Sequence, residues 1–244
     1  MKIATGLLLL YALAGAAMAA EIRVLSAGAV EPGLRTAAAA FKKQTGHEVN
    51  ITFNTAPEIR KRIGSGEAFD VVIAPPAALD EFAGKVTADR VALGRVGLGV
   101  AVRPGAAVPD ISSADALKRS VLAAESIVFN RASSGIYFEN LLKKMEIYGE
   151  VQAKTTRYAD GAAVMEHVLK GKGREIGFGP ITEILQHREK GLKLVGPLPP
   201  EVQNYTSYSA APMTAASNAE LARVLVRYLG SSESKALFVG AGID

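Results

Sequence analysis

Residues 66–75 read Gly66-Glu67-Ala68-Phe69-Asp70-Val71-Val72-Ile73-Ala74-Pro75. From Phe69 to Ala74 the run is almost unbroken apolar, too short for a helix and rich in β-branched residues. It suits a strand buried on both faces, as in a parallel sheet covered by helices. The flanks agree. Upstream, Val49 to Phe53 alternates apolar and polar as a strand, and Pro57, Ile59 and Ile63 mark a short helix stopped by Gly64-Ser65-Gly66. Before that, Ile22 to Leu25 reads as a strand, and Leu34, Ala37, Ala38 and Phe41 fall on one face of a helix closed by Gly46. Downstream come a short helix from Ala77 to Phe82 and a long extended stretch from Val91 to Val102, which ends at Arg103-Pro104-Gly105.

The pattern then restarts. Strands are predicted at 126–129, 153–158, 175–178 and 192–195, and helices at 136–145, 162–170 and 181–187. A polar, β-prone run covers 204–211, the last long helix 218–229, and a further short helix starts near Ser232. A βαβ layout on each side of the 91–105 stretch predicts an α/β fold of two lobes. Each lobe is a mostly parallel sheet flanked by helices, with the ligand cleft between them. The boundaries place residues 21–102 and 206–244 in the first lobe and 103–205 in the second, with 91–105 and 204–211 as the crossings. One continuous doubly wound sheet has a similar local pattern and stands as the alternative.

Residues 1–20 read as a secretory signal peptide: Lys2, an apolar stretch from Leu7 to Ala17, and the small-x-small site Ala17-Met18-Ala19. The expected location is the periplasm. The chain has 244 residues, a formal charge of +4 and no cysteine. Its basic residues are scattered, so no nucleic-acid stripe is formed. Without cysteine there is no disulfide framework, and three histidines, at 47, 167 and 187, argue against a multi-histidine metal site. No cofactor motif occurs, and a monomer is expected.

Four strand-to-helix junctions share a composition: Ser26-Ala27-Gly28-Ala29, Asn54-Thr55-Ala56-Pro57, Asn130-Arg131-Ala132-Ser133-Ser134-Gly135 and Asp160-Gly161-Ala162-Ala163. Each follows the carboxyl end of a strand and opens a helix, the place where open α/β sheets bind ligands. Small residues there uncover backbone N–H groups at the positive end of a helix dipole. Any one of these turns is an ordinary N-cap; four in succession point to a cleft for a small anion. The candidate donors are Gly28, Ala29, Asn54, Thr55, Ala56, Ser133, Ser134, Gly161 and Ala162. Arg60, one turn from its junction, is a candidate partner for a carboxylate. Tyr137 is a candidate cleft-wall residue. There is no G-x-S-x-G elbow, P-loop or H-E-x-x-H. His167 falls on the apolar side of its helix as a half-buried structural residue.

The first two of these junctions, the 66–75 run, Ser134-Gly135-Ile136-Tyr137 and Glu175-Ile176-Gly177-Phe178-Gly179 resemble the periplasmic molybdate-binding proteins of ABC importers. The resemblance follows the chain in order and spacing through the whole of it after the signal segment. It implies a class II periplasmic binding protein whose lobes close around the ligand, with a membrane permease as partner. In that family hydroxyls and backbone amides at these junctions hold a tetrahedral oxyanion. This chain departs from the pattern: Gly28 and Ala29 replace serines, Asn54-Thr55-Ala56 keeps one hydroxyl, and Gly179-Pro180 stands where a tyrosine is usual. A lost donor is costly for a buried oxyanion. The departures therefore point to a larger anion such as a small organic polycarboxylate. Some relatives of the family isomerise a small unsaturated tricarboxylic acid, so the resemblance also allows an aconitate-type isomerase. Its proton shuttle would need a base, for which Glu31, Glu58 and Tyr137 are candidates.

Overall fold

The computed structural model describes residues 19–244, so the signal-peptide expectation lies outside the described residues. Three strands, β1 (Glu21–Ala27), β2 (Glu48–Asn54) and β3 (Val71–Ala74), run parallel, β1 in the middle. Between them lie helices α1 (Glu31–Thr45), preceded by a 3-10 turn at Gly28–Val30, and α2 (Ala56–Gly64). The four residues of β3 are all buried, as the apolar run required. Asp70, just before β3, is buried too. Burial pulls its carboxyl upward, but the N–H of Arg23 at 2.8 Å and the Ser217 side chain and N–H, both at 2.7 Å, hold it below the usual carboxylate range.

After α3 (Pro76–Glu81) comes β4 (Val91–Val102), the element that joins the two halves. Its first part, Val91 to Gly97, pairs antiparallel with β9 (Tyr205–Pro212), which also pairs with β3. Its second part, from Leu98 on, pairs with β7 (Glu175–Pro180) and β8 (Lys193–Pro197). Beyond β7 lie β5 (Ser126–Asn130) and β6 (Thr155–Tyr158), all parallel. The strand order is β2-β1-β3-β9-β4-β7-β5-β6, with β8 beside β4.

The apolar core divides at the same point. One cluster runs from Ile22 to Val96 and from Tyr208 to Ile243, and includes α9 (Ala219–Leu229) and α10 (Ser232–Gly240). Beyond Leu98 the sheet has a core on each face. Leu98, Val100, Ile127 and Phe129 meet α4 (Ala114–Ala123), α5 (Ser133–Lys144) and α6 (Tyr148–Val151) on one side. Ala101 and Val128 meet α7 (Gly161–Lys170) and α8 (Ile181–Gln186) on the other. This is the period-two alternation of a strand covered on both faces. Phe138 of α5 stacks on Phe178 with ring centroids 3.8 Å apart, which seats that helix on the sheet. Helix α4 lies in a segment to which the sequence analysis assigns no element; the Ser113 hydroxyl caps it by accepting from the Ala116 N–H at 3.1 Å. None of the described helices is long and apolar enough to cross a membrane.

Candidate functional site

The carboxyl ends of β1, β2, β3, β5, β6 and β7 converge on one cavity of about 400 Å³ between the two halves. Gly28 and Ala29 after β1, and Asn54, Thr55 and Ala56 after β2, line one side. Ser133 and Ser134 after β5, with Gly161 and Ala162 after β6, line the other. Phe53, Pro75 and Pro180 add apolar walls. Across the same region the buried Thr182 hydroxyl donates to the Ala29 carbonyl at 2.7 Å, tying α8 to the turn before α1.

The first N–H groups of a helix have no partner within it. At α7 the Asp160 carboxylate accepts from Ala163 at 2.9 Å, and at α5 the Asn130 side chain accepts from Gly135 at 3.1 Å. That leaves the earlier amides, of Gly161 and Ala162 and of Ser133 and Ser134, for a ligand. Thr55 precedes α2 with its hydroxyl making no cap hydrogen bond, so it too is available. Asn130 is 2% exposed, and its amide nitrogen donates to Ser134 Oγ at 3.1 Å. That hydroxyl in turn donates to Asn130 Oδ1 at 3.4 Å. Gly135 is required beside it, because a Cβ there would overlap the Asn130 backbone carbonyl.

The lining includes Glu31, Glu58, Asp160 and Glu183 and no lysine, arginine or histidine. Three of these carboxylates have partners: Arg35 at 2.7 Å from Glu31, Lys61 at 3.6 Å from Glu58, and the Ala163 N–H at Asp160. Glu183, on α8, differs. Its Oε2 is sealed from solvent without any hydrogen-bond partner, and what remains exposed of the side chain lines the cavity. The carboxyl lies against Gly161, where a Cβ would come within 2.6 Å of its Cδ, and Oε1 lies 3.4 Å from where a Gly28 Cβ would be. Burial above all, then the nearby charges of Asp160 and Glu31, push its pKa up to about 8. Burial, and then Glu183, also push the phenol of Tyr208 on β9 well above its ordinary range, so it keeps its proton. Among the described residues no cluster of His, Cys, Asp and Glu could hold a metal ion.

Two candidates from the sequence are not in the cavity. Arg60 grips Glu81 with two of its three nitrogens, Nε to Oε2 at 2.5 Å and Nη2 to Oε1 at 2.9 Å. A ready carboxylate on α3 outcompetes a ligand a turn away. Both side chains of that pair are well exposed, so Arg60→Ala is expected to cost no more than about 1 kcal/mol in a thermal melt and to leave ligand affinity unchanged. A large loss of affinity in a titration would return Arg60 to the site. Tyr137 donates instead to the Val202 carbonyl at 2.9 Å and packs against the second core. The other nine candidate donors all line the cavity, as do Glu31 and Glu58. His167 shares a 2.8 Å hydrogen bond with the Tyr158 hydroxyl, which steadies the turn before α7. Glu183 is not among the candidates that the sequence offers. Its only signal was a fifth junction, Gly179-Pro180-Ile181-Thr182-Glu183, and an acid in a first helical turn ordinarily faces water.

Residues 22–244 match the family described as bacterial extracellular solute-binding protein. Over 231 residues the chain is 32% identical to an aconitate isomerase from a Pseudomonas species, covering 91% of this chain and 87% of that protein. Among solved structures, the Azotobacter vinelandii periplasmic molybdate-binding protein superposes with a TM-score of 0.77 at 16% identity, over 91% of this chain and 98% of that one. The sulfate-binding protein SubI of Mycobacterium tuberculosis does so with a TM-score of 0.72 at 16% identity, over 92% and 86%. At these identities the two structures speak for the fold.

Proposed function

Because the chain belongs to the bacterial extracellular solute-binding protein family, we propose that it encloses a small organic polycarboxylate between its two lobes in the periplasm and isomerises it. The lobes are residues 21–102 with 206–244, and 103–205. The observation that carries this reading is a donor-lined cavity with one unpartnered carboxyl in its wall, its Oε2 sealed from solvent. Its volume falls within the ~300–1,000 Å³ typical of sites for organic ligands. Ligand carboxylates would replace their water with the amides at the heads of α2, α5 and α7 and with the hydroxyls of Thr55, Ser133 and Ser134. The isomerase relative supplies the substrate class, an unsaturated tricarboxylic acid of the aconitate type.

Capture for a membrane permease is the second reading, favoured by the family match itself over residues 22–244. Proton NMR of the protein with cis- and with trans-aconitate separates the two. Interconversion of the isomers by the protein alone is the expected result. Stabilisation by the acid without interconversion would support capture. A ligand at 100 times its dissociation constant adds roughly 2.7 kcal/mol, readable as a thermal shift. Stabilisation by molybdate or sulfate but by no tricarboxylate would overturn the organic-acid reading.

A further inference from the structure

We propose that Glu183 is the catalytic acid–base group of the cleft, moving one proton between the two terminal carbons of a bound propene tricarboxylate. This rests on the isomerase reading above. The geometry singles out this side chain. Of the four carboxyls lining the cavity it alone lacks a counter-charge or donor, and it lies between the first turns of helices from opposite sides, at Gly28 and Gly161. At Gly161 a Cβ would displace the carboxyl, whereas at Gly28 it would only touch Oε1 at 3.4 Å. A ligand whose carboxylates rest on those helix starts has its carbon frame beside Glu183.

The chemistry balances without a cofactor. The ionised carboxyl takes a proton from the methylene carbon, the C–H bond breaks, and the electron pair spreads over three carbons and the adjoining carboxylates. In that allyl anion the former double bond is no longer fixed, so the frame can turn. Glu183, now protonated, returns the proton to the opposite terminal carbon, and a double bond re-forms at the other end in either geometry. The charge that develops on the ligand carboxylates meets the amides of Ser133, Ser134, Gly161 and Ala162, a preorganised donor set. A carboxyl whose pKa is raised toward the working pH is a stronger base than a solvated one and remains able to give its proton back. The groups that face it are Asp160, which caps α7, Glu31 from α1 and Tyr208 from β9. On its own helix, His187 Nδ1 lies 3.0 Å from the Glu183 carbonyl oxygen.

The test compares wild type, Glu183→Gln and Glu183→Asp in the full chain, with calorimetry for aconitate binding and proton NMR for turnover. Glu183→Gln is expected to bind within about threefold of wild type and to lose at least ~100-fold in turnover, the usual worth of a positioned acid–base group. Glu183→Asp should keep a larger share. The rise of kcat/KM with pH that marks ionisation of this carboxyl should be absent in Glu183→Gln. Full turnover by Glu183→Gln, with an active wild type, overturns the assignment and leaves the isomerase reading standing. So does a parallel loss of binding and turnover, which would make Glu183 a binding residue. A wild type that binds aconitate without converting it overturns both.

Discussion

Gly135→Ala is expected to lower the melting temperature by roughly 5–10 °C and to abolish tight ligand binding. A Cβ at this position overlaps the backbone carbonyl of Asn130, at the end of a central strand, and comes within 2.7 Å of the Asn130 side chain. Neither atom can swing aside as the tip of a surface side chain would. Asn130 is buried, and its Oδ1 already accepts from Ala132 at 3.0 Å and from Gly135 at 3.1 Å. Overpacking of this kind costs about 1–3 kcal/mol, and for a domain of this size each kcal/mol moves the midpoint by roughly 2–4 °C. Binding suffers as well, because the displaced turn carries Ser133 and Ser134, which line the cavity. Thermal melts with and without ligand check both parts. An unchanged midpoint would mean that α5 can slide on the sheet, against the seating of Phe138 on Phe178.

Glu183→Gln should change how stability depends on pH. The carboxyl is held near a pKa of about 8 in the folded chain against 4.5 for the unpaired group. Between those values the folded state keeps a proton that the unfolded chain has released. Its contribution is therefore full below pH 4.5, falls as pH rises through the interval, and is lost above about pH 8. At ~1.4 kcal/mol per pKa unit, the wild type forfeits as much as about 5 kcal/mol across this window, and the amide variant does not. The amide inherits the same unpartnered position, so the decisive quantity is the difference between two pH values within each protein. From pH 5 to pH 8.5 the melting temperature of Glu183→Gln should hold steady while that of wild type drops by as much as about 10 °C. Parallel curves would show that the carboxyl is solvated after all. The same ionisation links stability to chemistry: the form that can take a proton is the less stable one. This is the usual trade between function and stability at a site.

Most of the scaffold could be read in the chain because its signals are local. The apolar run at 69–74, the Leu34–Phe41 face and the small-residue turns each follow from periodicity within one element. Helix α4 escaped because its buried face is thin, only Ala116, Leu117 and Val121. The junction reading transferred to the cavity because any helix that opens at a strand's carboxyl end must turn its first amides the same way. The side chains did not transfer so well. Arg60 sits beside a junction in sequence, yet Glu81, 21 residues on, claims it. Tyr137 follows the Ser133-Ser134-Gly135 turn directly, yet it faces the second core.

By itself, then, the sequence determined the order of strands and of the helices other than α4, the two-part layout, and which backbone segments line the cavity, since each depends on patterns a few residues long. Only the tertiary structure decided which side chains share the cavity. Glu183 meets Gly28, Gly161 and Tyr208 across separations of 155, 22 and 25 positions, and its lack of any partner belongs to the assembled fold rather than to any stretch of chain. Burial is a property of what packs around a group. The shift that turns an ordinary surface glutamate into a candidate proton carrier therefore had no expression in the sequence until the two halves came together.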